Sequence, residues 1–294
     1  MAAPSGVSLA RLCLIPIAVA VRGTLCSKAV RIIIILFFAR CDYCNERGAL
    51  VSFPLSSLNM RIIYFFDIIS PYSALSWKLL RRYKQAWGYE LILKPMFLGG
   101  VMQATTNQPP GLLKQRGKFQ SADLARQASF LEVPLLPVPR NFFSEVARSC
   151  ISVQRLVCAA QLEPGLGADD LADIVDVLTN KVHCDAGCRS AANELKIDES
   201  FLANALKCTA VGAEDAALAQ RLLAAVNSDA AKALLKTNTT EAVDAGVFGS
   251  PTMLVDGIPD TDKAPMFIFG SDRFEQLAFV AKKKYSGPFP PSRL

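Results

Sequence analysis

The pattern of apolar and polar residues after residue 60 predicts a strand, a helix and a second strand. Residues 60–66 are almost all apolar, and the β-branched and aromatic residues among them are typical of a buried strand. Apolar side chains then recur at helical spacing, at Leu75, Leu79, Leu80, Tyr83 and Trp87. Glycine is common just past a helix end, so Gly88 predicts the end of this helix. Residues 89–96 return to a strand-like pattern, and a β-α-β unit is expected.

The rest of the chain contains a long helical segment followed by two further strands. Between residues 112 and 245, alanine-rich amphipathic runs predict several helices, one of them over 214–235. Strand-like runs resume at 252–255 and 266–269, and a last helix is expected near Ser271. The sequence therefore predicts an α/β protein with a large all-helical insertion.

The turn between the first strand and the first helix places a hydroxyl at a helix start. Residues 67–73 read Asp-Ile-Ile-Ser-Pro-Tyr-Ser. Ser70 is a favoured N-cap residue, and Pro71 suits the first helical position because its missing N–H is not needed there. The free amides and the dipole of a helix start also favour an anion. Ser70 is therefore either only a helix cap or a donor to a bound anion, and this motif alone leaves both open.

A second motif combines a Gly-rich approach, a Ser-Pro bond, an apolar strand and an Asp-Gly turn over residues 245–257. Taken alone it predicts a loop, a strand and a hairpin, with Pro251 at the first residue of the strand. A minority of X-Pro bonds are cis, and the sequence does not show which isomer the bond after Ser250 adopts.

Together these motifs resemble those of the kappa-class glutathione transferases and the related 2-hydroxychromene-2-carboxylate isomerases, on the DsbA-like branch of the thioredoxin fold. The resemblance runs from about Met60 to the C-terminus, and six segments carry it in order: 66–73, 94–102, 107–110, 248–252, 269–273 and 287–291. It implies an α/β, thioredoxin-like (DsbA-like) fold with a large all-helical insertion. The expected thioredoxin-like parts are 60–111 and, with the C-terminal tail, 246–294, and the helical insertion domain is 112–245.

The activity implied by the resemblance is that of a glutathione S-transferase, with glutathione as co-substrate and no metal. A free thiol has a pKa of about 8.5, so a site that uses it as a nucleophile at neutral pH must stabilise the thiolate. Thioredoxin-like proteins place a reactive Cys-x-x-Cys at this helix start, but this chain has Ser70 and Ser73 there. By resemblance, Ser70 is the one catalytic residue, and its hydroxyl donates a hydrogen bond to the glutathione sulfur.

The resemblance also implies the second reactant and the assembly. The thiolate would attack a small hydrophobic electrophile, such as a halogenated aromatic, or reduce a peroxide, and the protein would be a homodimer. Two alternatives stay open: a glutathione-dependent cis/trans isomerase, and a glutathione-binding or chaperone-like protein without turnover.

The resemblance assigns glutathione contacts to nine residues: Ser70, Pro71, Tyr72, Asn107, Arg116, Ser250, Pro251, Ser271 and Asp272. Ser250 is expected to pair its backbone with the cysteinyl unit, and Arg116, where the family usually has Lys, suits the glycyl carboxylate. Ser271 and Asp272 match contacts to the γ-glutamyl end. Without the resemblance, Arg116 is a solvated loop charge, and the other two are a helix cap and a first-turn acid.

Two residues depart from the family pattern. Ala74 replaces an aromatic residue, which is expected to widen the pocket for the electrophile. Ser250 replaces an apolar residue before the proline, which should leave the backbone pairing intact. These departures concern the range of electrophiles more than the binding of glutathione.

Composition and charge exclude other classes of protein. Of the 294 residues, 51% are hydrophobic, which is enough for a sizeable core. The net charge is +6, but residues 1–59 hold six Lys or Arg and two Asp or Glu, so they contribute +4. The predicted fold therefore has little electrostatic attraction for nucleic acid. Nine cysteines, an odd number spread along the chain, do not suggest a disulfide framework.

Two cysteine motifs are given no chemical function. Cys41 and Cys44 copy a Cys-x-x-Cys motif after an apolar run, but no amphipathic helix follows them. His183, Cys184 and Cys188 are three candidate metal ligands whose spacing fits no standard zinc site. We therefore expect neither redox activity nor a metal at these positions.

Both ends of the chain carry candidate targeting signals. Residues 1–41 hold five basic residues and no acid, as a mitochondrial presequence does, although residues 12–21 also fit a secretory segment. A true start at Met60 would instead leave residues 1–59, an N-terminal extension outside the fold, absent from the protein. The last three residues, Ser-Arg-Leu at 292–294, are a conservative variant of the signal that the peroxisomal import receptor reads. We predict a peroxisomal protein, with the mitochondrion as a second location.

Overall fold

The computed structural model describes residues 43–44, 50–51, 60–259, 261 and 264–290. Contacts divide the chain into two compact units, Met1–Ser57 and Leu58–Leu294. In the first unit, strands β1 (Tyr43–Cys44) and β2 (Leu50–Val51) pair antiparallel. The candidate targeting signals at both chain ends and the first cysteine of the Cys-x-x-Cys motif lie outside the described residues.

A four-stranded mixed sheet forms the centre of the second unit, in the order β4-β3-β5-β6. Its strands are β3 (Arg61–Phe66), β4 (Glu90–Pro95), β5 (Thr252–Asp256) and β6 (Met266–Phe269). β3 pairs parallel with β4 and antiparallel with β5, and β5 pairs antiparallel with β6. The two central strands are therefore neighbours in space although the whole helical segment separates them in the chain.

Helix α1 (Pro71–Trp87) connects β3 to β4, as the residue pattern predicts. Ser70 is its N-cap, and Gly88 ends it with a φ of 66°, a left-handed conformation that glycine adopts readily. The apolar stripe of α1 is buried, and the ring of Trp77 lies 6.1 Å from that of Tyr64 in β3. This packing fixes the start of α1 directly after the end of β3.

Most of the other helices lie between β4 and β5. They are α2 (Leu98–Ala104), α3 (Lys114–Phe130), α4 (Ala147–Leu162), α5 (Ala168–His183), α6 (Glu199–Lys207), α7 (Ala210–Glu214), α8 (Ala216–Ala225) and α9 (Asp229–Asp244). A last helix, α10 (Phe274–Val280), follows β6. Short 3₁₀ turns at Pro110–Leu112 and Ala186–Cys188 and a π-helical turn at Phe142–Val146 join these helices.

Two helix boundaries differ from the expectation based on the sequence. The run predicted as one helix over 214–235 is split, because Asp215 and Ser228 each accept a backbone hydrogen bond as the N-cap of a new helix. The last helix begins at Phe274, slightly later than the expected start near Ser271. The predicted limits of the thioredoxin-like parts and the insertion stay a prediction. Among the described residues, no helix combines the length and the hydropathy that crossing a membrane needs.

Two buried polar side chains hold the turn between β3 and α1. Gln154 of α4 accepts a hydrogen bond from the Ile68 N–H at 3.2 Å. Its Nε2 donates to carbonyl oxygens at the ends of β3 and β4, at 2.8 and 2.9 Å. His183 of α5 donates from Nε2 to the Ile68 carbonyl oxygen at 2.5 Å. The helical segment therefore fixes the turn that carries Ser70.

The imidazole of His183 is expected to stay neutral in the folded protein at neutral pH, because burial lowers its pKa from 6.5 to about 4. The unfolded chain binds the proton below pH 6.5 and the folded protein only below about pH 4. His183 therefore removes stability as the pH falls between these values, by about 3 kcal/mol. Because it is the only histidine in the chain, its titration can be followed by NMR without ambiguity. A pKa near 6.5 in the folded protein would contradict its burial.

Candidate active site

Ser70 stands at the N-terminus of α1, where the residue is only 6% exposed. Its Oγ accepts a hydrogen bond from the Ser73 N–H at 3.3 Å and donates one to the Ser250 carbonyl oxygen at 3.0 Å. The Tyr72 N–H has no acceptor in the described part of the chain. The helix start therefore offers an anion one hydroxyl that can turn and one free amide.

Ser250 joins the start of α1 to the loop before β5, 180 residues further along the chain. Its peptide bond to Pro251 is cis. The Ser250 hydroxyl lies 2.7 Å from Ser73 Oγ and accepts a hydrogen bond from the Asp67 N–H at 2.9 Å. The serine that replaces an apolar residue of the family pattern thus links the two motifs found in the sequence.

Asp67, for which no role was predicted, is buried in the same cluster. Its carboxylate accepts hydrogen bonds from the Ile69 N–H at 3.1 Å and the Leu98 N–H at 2.9 Å. Burial outweighs these bonds and raises the pKa of Asp67 to about 7. The carboxylate ties the turn before Ser70 to the start of α2. Its position directly after an apolar strand is the signal in the sequence that could have indicated a buried acid.

A second group of hydrogen bonds connects the start of α1 to α3. The Tyr72 hydroxyl and Gln127 Nε2 both donate to Asp123 Oδ2, at 3.0 and 2.8 Å. Gln127 Oε1 accepts a hydrogen bond from the Ser271 hydroxyl at 2.7 Å, so Ser271 is not a helix cap. Burial and the neighbouring Asp123 raise the pKa of Tyr72. Asp123 and Gln127 were not identified from the sequence, although their i, i+4 spacing places them on one helix face.

These groups line one cavity of about 960 Å³. Of the nine predicted glutathione contacts, eight line it: Ser70, Pro71, Tyr72, Asn107, Arg116, Ser250, Ser271 and Asp272. Pro251 is not among the lining residues. Aromatic side chains form other parts of the wall: Phe97, Phe142, Phe143, Phe248 and Phe269. Small-molecule sites have volumes of about 300–1,000 Å³, so this cavity has room for a ligand and a second reactant.

Three of the predicted contacts lie at different points around the cavity. Asn107 Nδ2 donates to the Phe248 carbonyl oxygen at 2.7 Å, so it holds the loop that leads to Ser250. Arg116 is exposed on helix α3, not on a loop, and has no ion pair among the described residues. Asp272 forms an ion pair with Arg273 at 2.6 Å.

Two groups of residues singled out in the sequence lie away from the cavity wall. Ala74 is 2% exposed within α1, so the expectation that it widens the pocket is wrong. His183 bonds to a backbone carbonyl, and Cys188 Sγ lies 3.6 Å from Asp185 Oδ2. Across the described residues, His, Cys, Asp and Glu side chains do not gather in threes that could hold a metal ion.

Comparison with known proteins agrees with this fold. Residues 61–280 match the family model of the DsbA-like thioredoxin domain. Human glutathione S-transferase kappa 1 is 31% identical over 229 residues, which are 78% of this chain and 93% of that protein. The Rattus norvegicus protein of the same name is 30% identical over the same shares. A solved 2-hydroxychromene-2-carboxylate isomerase shares the fold, with a TM-score of 0.56 and 22% identity over 74% of this chain and 93% of that chain.

The predicted fold class, an α/β, DsbA-like thioredoxin fold with many helices inserted into a mixed four-stranded sheet, is thereby confirmed. The family model covers most of the described chain, and the human relative exceeds 30% identity over more than two thirds of both sequences. The chain therefore belongs to the DsbA-like thioredoxin family and, within it, to the glutathione S-transferase kappa family.

Proposed function

We infer that this protein is a glutathione S-transferase whose cavity binds glutathione and whose Ser70 stabilises the thiolate for attack on an electrophile. The observation that carries the inference is the Ser70 hydroxyl beside the free Tyr72 amide, at a helix start on the cavity wall. The name shared by the human and rat relatives, glutathione S-transferase kappa, supports glutathione as the co-substrate.

The helix start stabilises a thiolate through hydrogen bonds and does not need a charged base. The Ser70 O–H and the Tyr72 N–H are the donors, and the helix dipole adds partial positive charge. Hydrogen bonds to a charged group contribute about 1.5–3 kcal/mol each. One such bond therefore lowers the pKa of the thiol by about one to two units. A thiol with an ordinary pKa of about 8.5 would then have a pKa of about 6.5–7.5, so a substantial fraction of bound glutathione would be thiolate near neutral pH.

Binding of glutathione also releases the Ser70 hydroxyl from the protein. The single hydroxyl proton of Ser70 is donated to the Ser250 carbonyl oxygen. In the proposed complex, the cysteinyl N–H of glutathione donates to that carbonyl, and the Ser70 O–H turns to the sulfur. Activation of the thiol is thereby coupled to correct placement of the tripeptide.

The two ends of glutathione meet different groups on the cavity wall. Arg116 has a guanidinium without an ion pair among the described residues, which suits the glycyl carboxylate. The Asp272 carboxylate suits the γ-glutamyl ammonium. The Ser271 hydroxyl donates to Gln127 and would turn from it to the carboxylate of the same end. The tripeptide would therefore span the cavity with its sulfur at Ser70.

Two reactions are compatible with a thiolate held in this way. In conjugation, the sulfur bonds to the electrophilic carbon, the leaving group departs with its electron pair, and the thiol proton passes to solvent. In peroxide reduction, two glutathione molecules are oxidised to their disulfide, and the peroxide is reduced to an alcohol and water. The aromatic wall suits a small hydrophobic electrophile. The isomerase alternative is supported only by the shared fold of the solved 2-hydroxychromene-2-carboxylate isomerase.

The assembly and location are further parts of the proposal. A homodimer is proposed on the resemblance to the kappa class alone. A peroxisomal location is proposed on the C-terminal Ser-Arg-Leu, and a mitochondrial one on the basic N-terminal segment, both of which lie outside the described residues.

Replacement of Ser70 by alanine tests the activation of the thiol. The full chain is expected to lower the pKa of bound glutathione, and Ser70→Ala should return it toward the ordinary value by one to two units, because one hydrogen bond to sulfur is lost. The ultraviolet absorbance of the thiolate, titrated against pH, measures this. Ser200→Ala, which removes an exposed serine of α6, is the control. An unchanged thiol pKa in Ser70→Ala would overturn the catalytic role, and binding without conjugation by wild type would favour the non-catalytic alternative.

Replacement of Ser250 by alanine separates the roles of its side chain and its backbone. The variant should lose about 1–3 kcal/mol of unfolding free energy, because the buried Asp67 N–H loses its acceptor. Its affinity for glutathione should change little, because the carbonyl that pairs with the cysteinyl unit remains. Urea unfolding and calorimetric titration with glutathione measure the two effects. A loss of affinity for glutathione without a loss of unfolding free energy would contradict this expectation.

Removal of residues 292–294 tests the peroxisomal location. The full chain with a fluorescent protein at its N-terminus should coincide with a peroxisomal marker in cells, because the C-terminal signal stays free. The truncated chain with the same tag should become diffuse. Import that persists without the three residues would rule out this signal.

A further inference from the structure

Two lysines on the cavity wall have no function in the proposed binding of glutathione. Lys114 and Lys118 begin helix α3, line the cavity and are exposed. Within the described residues, neither has an ion pair or a side-chain hydrogen bond. Arg273 on the same wall differs, because it is paired with Asp272. The two lysine charges are therefore available to a ligand.

The positions of these lysines are not explained by the stability of α3. Cations near a helix N-terminus oppose the helix dipole, and α3 has no acidic residue in its first turn. Lys114 and Lys118 are also spaced i, i+4, where like charges repel each other. Residues that are unfavourable for the local helix in this way are expected at functional surfaces.

An aromatic part of the wall lies close to the start of α3. The ring of Phe143, 45% exposed, packs edge to face on the preceding phenylalanine. It also lies against Gly111, where a Cβ atom would stand 3.1 Å from Phe143 Cζ. Gly117, the neighbour of Lys118, also lies close to Gly111. A Cβ atom on Gly117 would stand 3.2 Å from the Gly111 carbonyl oxygen. Apolar surface and the start of α3, which carries Lys114, therefore meet at one place on the wall.

Glutathione does not account for these charges. As a bound thiolate it presents two carboxylates, one ammonium and one sulfur anion. The proposed site provides Arg116 for one end, Ser271 and Asp272 for the other, and the start of α1 for the sulfur. The cavity of about 960 Å³ leaves space for the second reactant, and the unpaired lysines remain for it.

We propose that Lys114 and Lys118 select electrophiles that carry a carboxylate on an apolar body, a proposal that rests on the glutathione transferase function inferred above. The apolar body packs against Phe143, and the carboxylate faces the two lysines. Their positive charge also raises the local concentration of such an anion, an effect that salt screens.

A matched pair of electrophiles tests this selection. 4-Chloro-3,5-dinitrobenzoate and its methyl ester share a ring and a leaving group, and they differ in the carboxylate. With both compounds, the glutathione sulfur bonds to the chlorine-bearing carbon, chloride leaves with the bonding electrons, and the thiol proton passes to solvent. For each compound, kcat/KM of the full chain is measured at saturating glutathione. It is then divided by the rate constant for the uncatalysed reaction of free glutathione with the same compound. The acid-to-ester ratio of these quotients is the selectivity.

The wild type should prefer the acid over the ester after this correction. The double variant Lys114→Gln with Lys118→Gln should lower the selectivity about five- to tenfold, because exposed charge pairs are individually weak and only their sum is large. High salt should bring the selectivity of the wild type toward that of the double variant. Lys236→Gln removes an exposed charge of α9 that does not line the cavity, and it should keep the wild-type selectivity.

The experiment distinguishes failure of this proposal from failure of the proposed transferase function. Unchanged selectivity in the double variant would overturn the role of the lysines while conjugation persists. The double variant could instead lose rate equally with both compounds, or show a raised KM for glutathione at unchanged selectivity. Either result would mean that the lysines bind glutathione, and it would also overturn the proposed selection of electrophiles. If the wild type conjugates neither compound, the transferase function and the selection fall together.

Discussion

The hydrogen bond from the Ser70 hydroxyl to the Ser250 carbonyl is the contact on which the rest of the site depends. It can form only because β3 and β5 pair antiparallel, with Phe65 opposite Thr252. The residues that follow β3 and those that precede β5 then meet at one end of the sheet. The same contact positions a hydroxyl at a helix start and a backbone carbonyl beside it, the two groups to which the proposed function assigns the cysteinyl unit.

The helical segment does more than cover the sheet, because it supplies the buried side chains that hold the turn before Ser70. Gln154 and His183 bond to backbone groups of that turn, and Asp67 connects it to α2. Unpaired polar groups in such a place would each destabilise the fold by about 1–3 kcal/mol. A turn with so many buried bonds is stiff, and a stiff turn keeps its donors in place when a ligand arrives.

The polar groups of the cavity wall fall into two sets with different roles. Tyr72, Asp123, Gln127 and Ser271 bond to one another through their side chains and thereby shape the wall. The Tyr72 amide and the cations at the start of α3 have no such partners in the described part of the chain. Groups without a partner lose only their water when a ligand binds, whereas Ser70 and Ser271 must first give up the hydrogen bonds that they donate within the protein.

The sequence by itself determined the local elements of this protein, namely β3, α1 with its Ser70 cap and Gly88 end, and the strands around the second motif. These elements depend on side-chain patterns and caps within a few residues, which a sequence displays directly. The glutathione contacts stay a prediction from resemblance to a family, and eight of the nine predicted residues line the cavity. Tertiary structure alone decided which distant groups meet, such as Gln154 with the turn, Asp123 with Tyr72, and the exclusion of Ala74 from the wall. Their partners lie tens to hundreds of residues away, so only the packed chain specifies them.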